Sequence, residues 1–518
     1  MTKISEPYIN MPIVGAQTPV ANAAQRILIA GQMTAAGSAT EGALNRSVTP
    51  DGVAALVGEG SMLEDAYTGL REINEVTPVD IIAMDDLGAG TTAIGSISAA
   101  GTATAAGEYE ITIGSERNGK ALVAIEDEDT AAEAATKIAA AFADLGKCVC
   151  AVAVDGTTVT KVNATYRHKG LEGNFVPISI KGTVPGLALT ITAMTGGAGT
   201  PDLSTLFDVV SNQRYQQVVI PGSWGVTELS TFLDGRFNVA NKIMDGVGYV
   251  TVADAVANDL IDDLEEMNSK CVVVFADKVE AQAELTGPSK VENLFARSAM
   301  FAAVDALRMT PEQDISEYIT AGDSPLDLVG GPALATLPYF NTPLPVPVSL
   351  PGVGWEQLEI EAIKTAGGSV IGDNVSGTAT IVGEVVTTYK FDNAGNPDIT
   401  FKYLNTVKAS SVGREYMFNQ LKRDCAQSRL TEGDLIAGRS MNNEASLTAK
   451  FVKYYSALSG AEYCITEAGE EALQYFIRNL TIQINKATGT VTASMKVPIV
   501  TQLRTIVVPW QISFSTAA

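Results

Sequence analysis

The chain has one histidine, His168, in the run Tyr166-Arg-His-Lys-Gly170. A Ser/His/Asp or Cys/His relay needs an imidazole to carry the proton, and nothing around His168 resembles a nucleophile elbow. It reads as a surface-loop residue. Without a second histidine, the usual zinc and facial-triad ligand sets are missing. No GxxxxGK[ST] run exists to cradle a phosphate. Gly246-Val-Gly248 follows a predicted helix rather than a strand, and reads as a turn instead of a dinucleotide loop. The acidic run Glu126-Asp-Glu-Asp129 has the oxygens calcium prefers, but it precedes a helix start at Thr130. Carboxylates there favour the positive helix terminus, so the run reads as solvated and capping. Carboxylates abound, and no pair stands out as general acid and base. The expectation is therefore no catalytic residue, no metal and no cofactor.

The five cysteines, Cys148, Cys150, Cys271, Cys425 and Cys464, show no CxxC or Cys/His spacing and read as buried small hydrophobes in a reducing compartment. Among 518 residues, 46% are hydrophobic and 18% charged, which suits several packed cores. The formal net charge of −24 argues against nucleic acid and against an anionic membrane surface, since both would repel the chain. Met1-Thr-Lys-Ile-Ser-Glu-Pro7 has no apolar h-region and no run is long enough to span a bilayer, so no membrane insertion and synthesis in the cytoplasm are expected.

The elements alternate between strand and helix. Arg26-Ile-Leu-Ile-Ala30 and Val79-Asp-Ile-Ile-Ala83 read as buried strands around two helices, one starting at Thr49-Pro50 and one at Ser61. From Gly88 to about Pro201 the chain turns Gly/Ala/Thr-rich and strand-like, with one helix after Thr130. The α/β rhythm then resumes with strands at Gln217–Ile220, Gly248–Val252 and Cys271–Phe275. Helices follow at about 227–240, 254–267 and 292–308. Five prolines between Pro338 and Pro351 suggest a stiff connector. Beyond it come strands near Val382–Thr387 and Ile399–Tyr403 and helices near Gly413–Gln427 and Glu467–Asn479. A hairpin closes the domain. The fold class is α/β and α+β multidomain: a discontinuous α/β middle domain (25–87 plus 202–340), a β-rich inserted domain (88–201), and an α+β C-terminal domain (341–495). An N-terminal arm (1–24) and a C-terminal arm (496–518) extend from it as terminal β-arms.

Both arms have strand character. Ile506, Val508, Trp510, Ile512 and Phe514 alternate with polar residues, which puts one apolar face on an extended strand. Ile9, Met11, Ile13 and Val14 form a weaker counterpart, ahead of Gly15-Ala-Gln-Thr-Pro19. Such edges are built to be covered by another strand. The hairpin, Thr481–Asn485 against Thr490–Met495, offers a free edge near Ile482, Ile484, Val491 and Met495. One basic cluster stands out in this acidic chain: Arg414, Lys422, Arg423 and Arg429, with Arg439 nearby. It is either a solvated helix face or a patch facing an acidic partner.

Across its whole length the chain resembles tail sheath proteins of contractile-tailed, Mu-like bacteriophages. The resemblance is carried by the order of several segments: Val14-Gly-Ala-Gln-Thr-Pro-Val20, Gln25-Arg-Ile-Leu-Ile-Ala-Gly31, Glu110-Ile-Thr-Ile113, Asp129-Thr-Ala-Ala-Glu-Ala-Ala135, Lys169-Gly-Leu-Glu-Gly-Asn174, Val497-Pro-Ile-Val500 and Val508-Pro-Trp-Gln-Ile512. It implies a non-catalytic structural subunit of the virion tail. Such subunits stack as hexameric rings around a tail tube and contract to drive the tube through the host envelope. The implied partners are other copies of the chain, the tail tube protein, and baseplate and tail terminator proteins. The arms would add strands to neighbouring C-terminal domains, flexing at Gly15–Pro19 and Lys496–Pro498, and the basic cluster would face the tube. The sheath of a headless contractile bacteriocin or injection particle fits equally. An α/β enzyme with a binding insertion, or a passive shell protein, are readings from other classes.

Overall fold

Apolar runs such as Ile27-Leu-Ile-Ala30 and Cys271-Val-Val-Val-Phe275 leave no polar face for solvent, so they must lie in a sheet covered on both sides. In the structure, a computed structural model, they sit at the heart of a nine-stranded sheet. The residues described are 25–237, 242–254, 256–278, 292–319, 329–339, 342–347, 354–373 and 378–501. The two arms expected at Ile9–Val14 and Ile506–Phe514 lie outside them.

The body opens with β1 (Ile27–Gln32), β2 (Leu44–Asn45), α1 (Pro50–Val57), α2 (Met62–Ile73) and β3 (Val79–Met84). The insertion follows, with β4 (Thr92–Gly101), β5 (Gly107–Ile113), β6 (Lys120–Ile125) and α3 (Ala131–Ala143). It ends with β7 (Cys150–Val154), β8 (Lys161–Lys169), β9 (Ile178–Lys181) and β10 (Leu187–Thr195). The body resumes with β11 (Gln217–Val219), α4 (Thr227–Arg236), β12 (Val247–Asp254), α5 (Ala257–Glu265), β13 (Val272–Lys278) and α6 (Leu294–Met309). Next come β14 (Pro343–Pro347), α7 (Gln357–Ala366), β15 (Gly368–Asp373) and β16 (Thr378–Val382). The last unit has α8 (Leu404–Cys425), β17 (Arg429–Leu430), β18 (Met441–Asn442), α9 (Glu444–Leu458), α10 (Glu470–Arg478), β19 (Thr481–Asn485) and β20 (Thr490–Ser494).

The large sheet has the order β14-β16-β15-β13-β12-β11-β1-β3-β2. Its centre is parallel, and the edge pairings β2–β3, β15–β16 and β16–β14 are antiparallel. Strand β12 shows why both faces are covered. A side chain at Gly248 would run into Leu229 and Leu233 of α4, at 2.7 and 2.9 Å. The next residue, Tyr249, points the other way and donates its hydroxyl to Asp305 of α6 at 2.8 Å. Successive residues of a strand face opposite sides, so the sheet is sandwiched between helices. All sixteen residues of α6 are buried.

Three expectations are corrected here. The proline-rich connector is an edge strand: β14 reads Pro-Leu-Pro-Val-Pro and pairs with β16. Residues 343–382, expected to open the C-terminal domain, instead add three strands to the body sheet. A strand at Ile399–Tyr403 does not form, and only Tyr403 bridges Val386. The insertion consists of a four-stranded sheet, β10-β4-β8-β7, and a three-stranded sheet, β6-β5-β9. Helix α3 packs on strands of both and opens with a capping box between Thr130 and Glu133, as the sequence suggests. Cys148 and Cys150 are each 1% exposed, and burial pushes the Cys148 thiol up to about 11, which makes it an inert core group.

Helix α8 begins nine residues earlier than Gly413 and spans 22 residues, about 33 Å at 1.5 Å per residue. Leu404 and Val407 enter the body core; Ala409, Val412 and Met417 join a second cluster with Tyr454, Leu458 and Tyr463; Leu421 and Cys425 lean on a third. Ion pairs fasten its first half to the body. Lys408 Nζ lies 2.5 Å from Asp305 Oδ2, Arg414 pairs with Asp245, and Glu415 pairs with Arg214 at 2.8 Å. Asp305 is wholly buried and also accepts from Gln217, Tyr249 and Tyr339. Burial opposes its charge, but Lys408 and these donors hold its carboxyl below the usual range. Lys408→Met would strand that carboxylate without a counterion, at an expected cost of about 3–5 kcal/mol in denaturant unfolding. Asp305→Asn in the same chain should recover part of the loss. Strict additivity of the two costs would show that the pair is not coupled.

Candidate functional site

The C-terminal unit carries the candidate site. Asn443 starts α9 through a capping box with Ser446, and Leu447, Phe451, Tyr455 and Leu458 follow at helical spacing. Phe451 and Tyr455 face Phe476 of α10, whose ring stacks on Tyr455 at 4.5 Å. On this small core lies the hairpin, in the register Ile482↔Ala493 and Ile484↔Val491. Its turn is closed by Asn485, whose side-chain oxygen accepts the N–H groups of Ala487 and Thr488, and by Gly489 at φ +67°. Ile482 is buried, whereas Ile484, Val491 and Met495 are half-covered and packed on the same core. Thr481, Gln483, Thr490 and Thr492 make the outer, exposed face. The hairpin is a two-stranded sheet, so among the described residues both of its edges are open to a further strand.

The chain leaving the hairpin is pinned before it reaches the arm. Glu467 donates its N–H to Pro498 O at 3.0 Å, and Val500 donates to Ile465 O at 2.9 Å. The joint expected at Lys496–Pro498 is therefore clipped to its own domain. The basic cluster also divides. Arg414 turns inward to Asp245 and lies over the Phe237 ring at 4.3 Å, so it serves the α8–body seam. Lys422, Arg423 and Arg429 are exposed, with Arg423 beside Asp424 at 2.8 Å, and Arg439 is exposed as well. From 404 to 501 the chain holds eleven Lys and Arg against nine Asp and Glu, a balance of +2 within a chain of −24.

His168 is the clearest correction. It is 0% exposed on β8, in a strand whose Val162, Ala164, Tyr166 and His168 all point inward. Its Nε2 accepts the N–H of Met62 at 3.1 Å, at the start of α2. The imidazole thus satisfies one of the orphan donors of a helix terminus. Burial, with Arg167 beside it, lowers its pKa to about 3 and keeps the ring neutral. Among the described residues no group of three or more His, Cys, Asp or Glu is placed to hold a metal ion. None of their helices is long and apolar enough to cross a membrane. The Asp305–Lys408 pair escaped the sequence reading, although an Asp inside the apolar run Ala302-Ala-Val-Asp-Ala306 signals a buried partner.

No protein-family model matches the chain. It is 28% identical over 219 residues to the Mu-like prophage FluMu tail sheath protein of Haemophilus influenzae. That match spans 41% of this chain and 44% of the relative, under half of either. Among solved structures it is similar to the sheath tail protein of Desulfitobacterium hafniense, at TM-score 0.44 and 11% identity over 93% of this chain and 98% of that one. The sheath tail protein of Listeria innocua gives TM-score 0.45 and 12% identity over 92% of each chain. The helical sheath of the anti-feeding prophage in its contracted state gives 0.44 and 11% identity, over 99% of this chain and 100% of that one.

The neutral histidine predicts a pH dependence. Its folded pKa lies below the ordinary 6.5, so the unfolded chain takes up the proton first as pH falls. The stability His168 contributes is complete above about pH 6.5 and drains away toward pH 3, at up to about 1.4 kcal/mol per pH unit. In denaturant titrations between pH 7 and 4, His168→Asn should show a shallower decline than wild type. Parallel curves would remove the imidazole from the account.

Proposed function

We propose that this chain is the repeating subunit of a contractile phage tail sheath, a structural protein of the virion tail with no catalytic role. The observation that carries the reading is its 28% identity over 219 residues to a phage tail sheath protein. The geometry of the last unit supports it. A hairpin with two open edges, displayed at the far end of a helix anchored in the body, is suited to receive strands from other copies. In this reading Ile482, Ile484, Val491 and Met495 receive the apolar arms, Ile9–Val14 of one neighbour and Ile506–Phe514 of another. Main-chain bonds then hold the polymer while the bodies shift.

The subunits would stack as hexameric rings around a tail tube, with baseplate and terminator proteins at the two ends. Domain limits follow as 1–24 for the first arm, 88–201 for the insertion, 25–87 with 202–403 for the body, 404–500 for the assembly unit and the remainder for the second arm. The exposed Lys422, Arg423 and Arg429 would face the tube. Contraction would draw on extra surface buried between bodies, worth about 25 cal/mol per Å².

The full chain, expressed alone and viewed by negative-stain microscopy, should form tubes; its failure to form any ordered polymer would remove the sheath reading. Deleting Ile506–Ala518 should leave soluble monomers with an unchanged thermal midpoint. Tubes that survive that deletion would show that the C-terminal arm is not the link. Reversing charge at Lys422, Arg423 and Arg429 together should weaken co-sedimentation with the tail tube protein, more at low salt than at high. Equal binding at both would return these residues to a solvated helix end.

A further inference from the structure

The strand order of the body sheet reverses at β1: β3 lies to one side, and β11, β12 and β13 follow on the other. In open parallel sheets, the crevice at the carboxyl ends of the strands flanking such a point is where ligands bind. Here that crevice is full. The insertion leaves the body just past the end of β3, and its polar contacts gather along this edge. At the end of β1, buried Gln32 donates through Nε2 to Lys169 O at 3.1 Å. Past the end of β11, Ser223 Oγ donates to the buried Glu172 at 2.6 Å. At the head of α2, His168 takes the Met62 N–H. At the head of α6, Glu292 receives both terminal nitrogens of Arg117, at 2.5 and 2.7 Å.

Asp65 of α2 completes the seam. It accepts from Ser115 and Asn118 of the insertion at 2.8 and 2.9 Å, and from Asn293 of the body at 2.6 Å. Gly69 belongs to the same arrangement, since a side chain there would come within 2.9 Å of an Arg117 nitrogen. Between Met62, Tyr166, Glu172 and Phe295 there remains a void of about 10 Å³, room for one water.

We propose that the insertion is the resident occupant of the sheet's ligand crevice: the 166–175 segment and Arg117 fill the place where a small molecule would bind, and the insertion is an integral part of the body. An appendage would touch the body through two linkers and leave the crevice open. This insertion instead satisfies a backbone donor at the head of one body helix and a carboxylate at the head of another, and closes over the ends of two strands. The proposal goes beyond the sheath reading and holds without it.

Hydrogen exchange on the full chain tests it, with wild type beside Arg117→Lys, which keeps the charge but loses the two-pronged contact, and beside Leu122→Ser, an exposed change in the same insertion. Arg117→Lys should raise exchange about tenfold in 113–119 of the insertion and, together with it, in 61–66 and 292–296 of the body. Leu122→Ser should move neither. Faster exchange confined to the insertion, or no change anywhere, would overturn the proposal. Excision of 88–201, with Leu87 joined to Asp202 by a short Gly-Ser bridge, gives a second reading. A soluble excised chain with the wild-type thermal midpoint would overturn it, and loss of the folded body is expected.

Discussion

A carboxylate with no access to water, set in the middle of an apolar helix, has to be answered from several directions at once. Asp305 is answered from β11 by Gln217, from β12 by Tyr249, from the segment before β14 by Tyr339 and from α8 by Lys408. Burying such a group is costly, and leaving any donor out makes it more so. Its satisfaction therefore fixes where α8 meets the body. Because α8 is one unbroken helix through three apolar clusters, the same contact sets the position of α9, α10 and the hairpin. An interaction deep in the body decides where the two-stranded hairpin is displayed on the surface.

Much of this was readable from side-chain order. Continuous apolar runs announced β1, β3 and β13, and alternation with a polar turn announced the β19–β20 hairpin. Helix α9 also carries a clear stripe in Leu447, Phe451, Tyr454 and Leu458, which the sequence reading passed over. The alternation of Val162, Ala164, Tyr166 and His168 is the signal that places the histidine inside; the flanking Arg167 and Lys169 disguise it as a loop. Other features had no local signal. Strand β14 is rich in proline and β15 carries two glycines, and tertiary pairing overrides what those residues prefer alone. Arg414 belongs to Asp245, 169 positions away, and no pattern near either residue reveals the other.

The candidate site was legible to a different degree. The hairpin that would accept strands was visible as a pattern, because pairing in a two-residue period is a local property. The positive cluster was visible only as composition. Whether a cation faces solvent or a buried carboxylate depends on distant chain, and the structure sends Arg414 one way and Lys422, Arg423 and Arg429 the other. Charge in this chain thus has two uses: inward, to fasten units together, and outward, where the last unit is nearly balanced while the rest is strongly acidic.

The edge strand β14 places proline at 343, 345 and 347, every second position. Proline has no N–H, so three of the five residues of this ribbon have nothing to donate to a further strand. At the opposite border of the nine strands, β2 is only two residues long. Among the described residues, both margins of this sheet are thereby poor templates for a further strand. If copies of this chain trade strands as proposed, stacking through the wrong surface is a standing risk, and the geometry of a cyclic amino acid discourages that error.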